Sequence, residues 1–313
     1  MFFSPKPLHI PDGFLNLTVS MVFWIITIIT VGLAISKTNK TLAEKQIPLM
    51  GIMAAFIFAA QMLNFPVAGG TSGHFLGGTL AAIVLGPWAG ILVMTAVVGL
   101  QGLIFQDGGL LVMGANIFNM GILTAVIGFG LYRTVINQGR GIRLSVAGLA
   151  AWLSTMAAAL LTSLQLWLSG TTRLEIVIPT MLGVHALIGI GEALITVAAL
   201  AFIEQTRPDL LSAEKSAASG GRSWIIAGIM FAILAVLISP FASVDPDGLE
   251  RVAEDIGFLD TGLDAPYNIL PDYRIPFLGE TAISTVLAGL VGIIILFALL
   301  FLLGRNLRRK QNT

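Results

Sequence analysis

The chain of 313 residues contains no cysteine. That excludes a disulfide framework, a thiolate metal site and a cysteine nucleophile. Charge is nearly as scarce, with Asp, Glu, Lys and Arg at 11% of the residues, against about 25% in a soluble domain. So little polar surface cannot cover a water-soluble globule. Acidic and basic residues balance at 17 each, so no bulk field points to nucleic acid. A GxxxxGK[ST] phosphate loop is also missing, which leaves any ATP hydrolysis to other subunits. Histidine is limited to His9, His74 and His185.

What is plentiful is apolar sequence, 56% of the chain, gathered in runs of about twenty residues. That length crosses ~30 Å of hydrocarbon as a helix. A β-barrel would instead alternate over ~10-residue strands. The fold class is therefore all-α, a polytopic α-helical membrane protein. Nine segments are expected, near 17–36, 47–64, 74–86, 88–105, 111–132, 144–169, 176–203, 224–241 and 281–303. The third is short. Gly86-Pro87-Trp88 separates it from the fourth, and proline cannot donate to a helix ladder, so a corner or break falls there.

Lys and Arg set the orientation. With the N-terminus outside, inner loops and tail hold Lys37, Lys40, Lys45, Arg133, Arg140, Arg143, Arg207, Lys215, Arg222, Arg305, Arg308, Arg309 and Lys310, which is thirteen. Outside remain Lys6, Arg173, Arg251 and Arg274, which is four, and thirteen plus four accounts for all 17. The N-terminus is expected outside and the C-terminus inside. The start carries no basic n-region and no small-residue cleavage site, so the first segment is expected to be a retained span. The polar stretch at 204–223 reads as a cytoplasmic linker. It divides the chain into a body at 8–205, a linker at 206–223 and a two-span tail at 224–313. The tail's outer loop, 242–278, carries eight acidic residues against two basic ones.

Polar residues inside or beside the apolar runs carry the chemistry. His9 lies just outside the first segment in LHIPDGFL, and His74 closes NFPVAGGTSGH at the outer mouth of the third. Neutral imidazole is a common ligand for late divalent metals. The loop around Thr71 and Ser72 is glycine-rich and can approach other backbone closely. In FQDGGLLVMGANIFNMG, Asp107-Gly108-Gly109 is a turn signal. Asn116 and Asn119 share a helical face there and are expected to bond neighbouring helices. GVHALIGIGEALIT places His185 and Glu192 two turns apart on one face. Glu192 is the one carboxylate well inside an expected span, either an interior polar tie or a relay. In DPDGLERVAEDIGF, Asp247 and Glu250 read as a capping box. Leu249, Val252 and Ile256 form the apolar face of a short helix, which either lies on the surface or docks near the mouth.

Together these stretches resemble the substrate-capture component of cobalt/nickel energy-coupling factor transporters, the CbiM/NikM type, over about residues 8–205. The tail is similar to the small two-span partner of NikN or CbiN type, fused here to the body. The resemblance implies a seven-helix body in the inner membrane that takes Ni2+ or Co2+ from outside. It also implies a transmembrane coupling protein and two ATP-binding-cassette ATPase subunits as partners, with no organic cofactor and no enzyme activity on this chain. The ligands it implies are the N-terminal amine, the backbone nitrogen and imidazole of the second residue, and the histidine of the glycine-rich loop. Here these fall on residue 8, His9 and His74.

Residue 8 is Leu8, preceded by seven residues, and an acylated nitrogen is not an amine donor. The expectation is that the chain starts at the codon of Leu8, or is trimmed to it. A free α-amine titrates near 7.7–8 and yields readily to a metal. Four nitrogens in a plane favour Ni(II) or Cu(II). Two other readings stand beside this one. Gly70-Thr71-Ser72-Gly73 with His185 resembles the rhomboid intramembrane protease dyad, with Ser72 as nucleophile. His185 and Glu192 could instead serve a proton-coupled secondary cation transporter.

Overall fold

In this computed structural model the described residues are 9–42, 46–207 and 223–309. Leu8 lies outside them, as does the expected linker at 206–223 except for its ends. The fold is a helical bundle with one small hairpin. Its elements are α1 (Leu17–Thr41), α2 (Gln46–Gln61), β1 (Phe65–Val67), β2 (Thr71–Gly73), α3 (Gly78–Leu85) and α4 (Pro87–Ile104). Then come α5 (Met113–Ile117), α6 (Thr124–Tyr132), α7 (Arg140–Leu168), α8 (Leu174–Thr206), α9 (Ser223–Ile238), α10 (Gly248–Ile256) and α11 (Ala282–Arg309). A π-helical turn at Phe118–Leu123 joins α5 to α6.

Six helices among the described residues are long and apolar enough to cross a membrane: Leu17–Lys40, Pro87–Ile104, Met113–Val135, Arg140–Leu168, Leu174–Thr206 and Ala282–Arg308. Gln46–Gln61 and Ile225–Phe241 are shorter apolar helices. The third expected segment differs most from the sequence reading. Only the eight residues of α3 are helical, after a two-stranded hairpin occupying 65–73. The break at Gly86-Pro87 follows from backbone chemistry. Gly86 takes φ of +84°, open to glycine at no steric cost, and Pro87 starts α4, where a missing N–H costs nothing.

Because successive helices reverse direction, one end of the bundle gathers the N-terminal segment, the hairpin, the 105–112 loop and the long loop of the tail. The opposite end carries Arg140 and Arg143, which pair with Glu204 at 3.2 and 2.7 Å. The main core joins α2, α3, α4 and α11 through Met50, Phe58, Leu80, Met94, Phe105 and Leu296. A second core lies at the loop-rich end. Leu249, Val252 and Ala253 of α10 bury against Ile10, Phe14, Val112, Leu166 and Met181. At about 1.5–3 kcal/mol per fully buried large aliphatic or aromatic side chain, this cluster fastens the tail's loop to the body.

Candidate metal site

The N-terminal segment is tied down residue by residue. Asn116 grips Ile10 as a backbone strand would, accepting from its N–H at 3.1 Å and donating to its carbonyl at 3.0 Å. Gly109 N–H also donates to the Ile10 carbonyl. The Asp12 carboxylate accepts from the amides of Leu110, Leu111 and Val112 at 3.0, 2.9 and 3.2 Å, capping the turn that leads into α5. The Asp12 carbonyl accepts from Leu263 of the tail's loop at 2.7 Å. His9 is thereby held in the interior, 3% exposed.

His74 arrives from the other side. The hairpin reverses at Gly69 and Gly70, both at positive φ, which a side chain would oppose. Two polar side chains then clamp the loop between β2 and α3. Glu192 of α8 accepts from the amides of Leu76 at 2.6 Å and Gly77 at 3.0 Å, and Gln61 donates to the Leu76 carbonyl at 2.8 Å. A buried carboxylate thus sits on the amides that precede the start of α3.

The rings of His9 and His74 lie edge to face with centroids 5.7 Å apart. His9 Nδ1 is 3.0 Å from the Asp107 carbonyl and 3.3 Å from its carboxylate. His74 Nδ1 is 3.6 Å from the Asp247 carboxylate. Nε2 of each ring is buried and has no hydrogen-bond partner among the described residues. Both rings line one cavity of about 70 Å³, together with Asn116, Asn119, Met181 and His185. Above it lies a larger cavity of about 750 Å³, walled by His9, Asp12, Asp247, Glu250, Asp264 and Asp272. Burial pushes the Asp247 carboxyl up to about 8, opposed by the Glu250 amide that donates to it.

The remaining singled-out residues make their bonds elsewhere. Asn119 forms a reciprocal amide pair with Gln165 at 2.8 and 2.9 Å and donates to Thr162. Thr71 is buried in β2 opposite Val67. Ser72 Oγ donates to the Asp245 carbonyl at 2.8 Å, and its N–H to Pro246. His185 Nδ1 bonds the Met181 carbonyl at 2.8 Å. Each of Ser72, His185 and Glu192 thus has other partners. Among the described residues no group of three or more His, Asp or Glu side chains is disposed to hold an ion.

Sequence reading missed Asp107 as more than a turn residue, and it missed Tyr273 altogether. Tyr273 is fully buried and donates to Asp107 Oδ2 at 2.6 Å. One signal was available: two of the chain's three tyrosines lie in the acidic loop, where an aromatic ring with a polar tip needs a reason.

Gly108 gives a direct check on the His9 pocket. Its φ is +101°, and an added Cβ would lie 2.9 Å from His9 Cβ and 3.0 Å from Asn116 Nδ2. Left-handed backbone costs an L-residue roughly 1–2 kcal/mol, so Gly108→Ala is expected to lower the stability of the fold by about that amount. Thermal melting of the purified variant checks this, and an unchanged Tm would show that the loop accepts a side chain beside His9.

The cobalt uptake substrate-specific transmembrane region family matches residues 9–210, and the PDGLE domain family matches residues 222–309. The putative fused nickel transport protein NikMN of Archaeoglobus fulgidus is 37% identical over 304 residues, 96% of this chain and 99% of that protein. The cobalt transport protein CbiM of Geobacter sulfurreducens is 27% identical over 80% of this chain and 79% of its own. A crystal structure of a truncated transition metal transporter, 33% identical, superposes with a TM-score of 0.57 over 63% of this chain and 98% of that one.

Proposed function

We propose a function from one premise: the chain belongs to the cobalt uptake substrate-specific transmembrane family, with a PDGLE domain fused behind it. It is a multi-pass membrane component of nickel or cobalt transport, and its relatives are named as transport proteins. Our finer reading is that His9 and His74 capture a divalent Ni2+ or Co2+ ion arriving from outside the cell. The observation that carries it is that the imidazoles of His9 and His74 line one cavity, where His74 Nε2 has no hydrogen-bond partner among the described residues. The amine of residue 8 is the proposed further nitrogen donor when the chain begins there. The acidic cavity above the pair would concentrate dications before capture.

The body carries capture and the tail covers the site, on the outer face of an inner membrane. Energy comes from ATP hydrolysed on two ATPase subunits, passed on by a transmembrane coupling protein. Nickel is the first cargo to test, because the fused relative is named for it. Proteoliposomes holding this chain with those partners should take up radioactive Ni2+ only when ATP is supplied. Uptake that persists without ATP and collapses with the proton gradient would replace this reading with secondary transport.

A further inference from the structure

We propose that Asp247, at the head of the tail's short helix α10, is a positioning residue for the metal site: its carboxylate holds the His74 ring from behind, on Nδ1, and turns Nε2 toward the ion. The proposal rests on the reading of His74 as a ligand.

The tail's chain is laid against the hairpin that presents His74. Ser243 N–H donates to the Asn64 carbonyl just before β1, and Ser72 N–H in β2 donates to the Pro246 carbonyl, both at 2.8 Å. These main-chain bonds pin segment 243–246 to both strands' side of the hairpin. His74 follows two residues after Ser72, and Asp247 follows directly after Pro246. The two side chains meet there, with Asp247 Oδ2 3.6 Å from His74 Nδ1.

The two carboxylate oxygens have separate tasks. Oδ1 accepts from Glu250 N–H at 2.8 Å and caps α10. Oδ2 is the atom that faces the imidazole. The cap fixes the side chain's torsions, so the second oxygen is aimed rather than free to swing. Gly248 seats the helix. An added Cβ there would lie 2.7 Å from Ile188 Cδ1 and 2.9 Å from His185 Cε1, so α10 starts in direct contact with α8.

His74 offers the ion its ring alone, so a partner on Nδ1 and an ion on Nε2 do not compete. Nε2 is buried, in a ring that lines the cavity shared with His9, and has no hydrogen-bond partner among the described residues. A carboxylate on the far nitrogen keeps the ring proton there, fixes the ring plane and strengthens the ligating nitrogen as a donor. A dication on Nε2 in turn favours the ionised carboxylate against its burial.

The test uses the full-length chain and Ni2+ alone, competed against a chromophoric chelator. Asp247→Asn keeps an oxygen for the helix cap and removes the charge that faces His74. Asparagine and aspartate cap about equally well, so Tm should hold. Ni2+ binding is expected to weaken roughly 10–100-fold, the usual loss when a ligand's orienting partner goes. The visible absorption of bound Ni2+ should move to longer wavelength, because a less basic imidazole splits the d levels less. In a His74→Ala background the same change is expected to add less than about twofold, because it acts through that ring. Wild-type affinity in Asp247→Asn, an unmoved absorption band, or an equal loss in both backgrounds overturns the proposal. The last would mean that the charge acts on the ion directly. Should Asp247→Asn lose the fold, Asp247→Ser, whose hydroxyl also caps, decides by the same measures. Failure of both to fold rejects positioning in favour of a structural carboxylate. Wild-type binding in His74→Ala alone would reject the ligand reading itself, independently of Asp247.

Discussion

His74→Ala is expected to weaken Ni2+ and Co2+ binding by more than about 100-fold, exceeding the loss from any orienting residue, while leaving the bundle folded. The side chain is only 12% exposed and its Nε2 has no hydrogen-bond partner among the described residues. Truncation therefore removes a nitrogen donor, and what it gives up is the 3.6 Å approach of Nδ1 to the Asp247 carboxylate. His185→Ala is the matched control. That ring lines the same cavity, but its Nδ1 is committed to the Met181 carbonyl of its own helix, so a much smaller loss is expected. Ser72→Ala should leave metal binding intact, because its hydroxyl bonds a backbone carbonyl of the tail. Isothermal titration of the three variants separates these outcomes. Equal losses from His74→Ala and His185→Ala would point to a different ligand set, and loss of peptide-bond cleavage in Ser72→Ala would revive the protease reading.

Glu192→Ala is expected to destabilise the protein as strongly as His74→Ala impairs capture. Its two carboxylate oxygens satisfy the amides of Leu76 and Gly77 inside the bundle. Each amide left without an acceptor costs about 1–3 kcal/mol, so the loss is roughly 2–6 kcal/mol. At about 2–4 °C per kcal/mol for a chain of this order of size, Tm falls by roughly 5–20 °C. Glu192→Gln keeps one acceptor oxygen and turns an NH2 group toward the other amide, so it should fall between. Because the clamped loop also presents His74, both variants should bind metal more weakly in the same order. A thermal shift near zero for Glu192→Ala would free this carboxylate for a role in the ion's path.

The helices were legible because burying backbone in hydrocarbon demands long apolar runs, and these stand out in a chain so poor in charge. The corner at Gly86-Pro87 was legible for an equally local reason. The hairpin was harder. Its alternation is weak, and Phe65–Val67 and Thr71–Gly73 are held by partners far away, such as Pro246 on Ser72. His9 and His74 stood out by rarity and by the motifs around them, and Glu192 by its isolation among apolar residues. Nothing local marks the Asp107–Tyr273 contact. Asp107 reads as an ordinary turn residue, and its partner comes from a separate segment past a linker. Such a pair is set by tertiary packing, which sequence spacing does not encode. The capping role of Asp247 was local and readable, and its side chain accepts from Glu250 N–H at 2.8 Å. Its approach to His74 was not.

The loop that carries Asp247 and Tyr273 belongs to the same polypeptide as His9 and His74. Its docking is therefore an intramolecular event, with an effective concentration on the order of millimolar for a short tether. Dilution in the bilayer or in detergent does not lower that figure, and each pair of histidines has its own loop at one-to-one stoichiometry. A separately encoded loop would cover pockets in proportion to its expression and its dissociation constant. Fusion makes the covered fraction a fixed property of the molecule, independent of how much of it the cell makes.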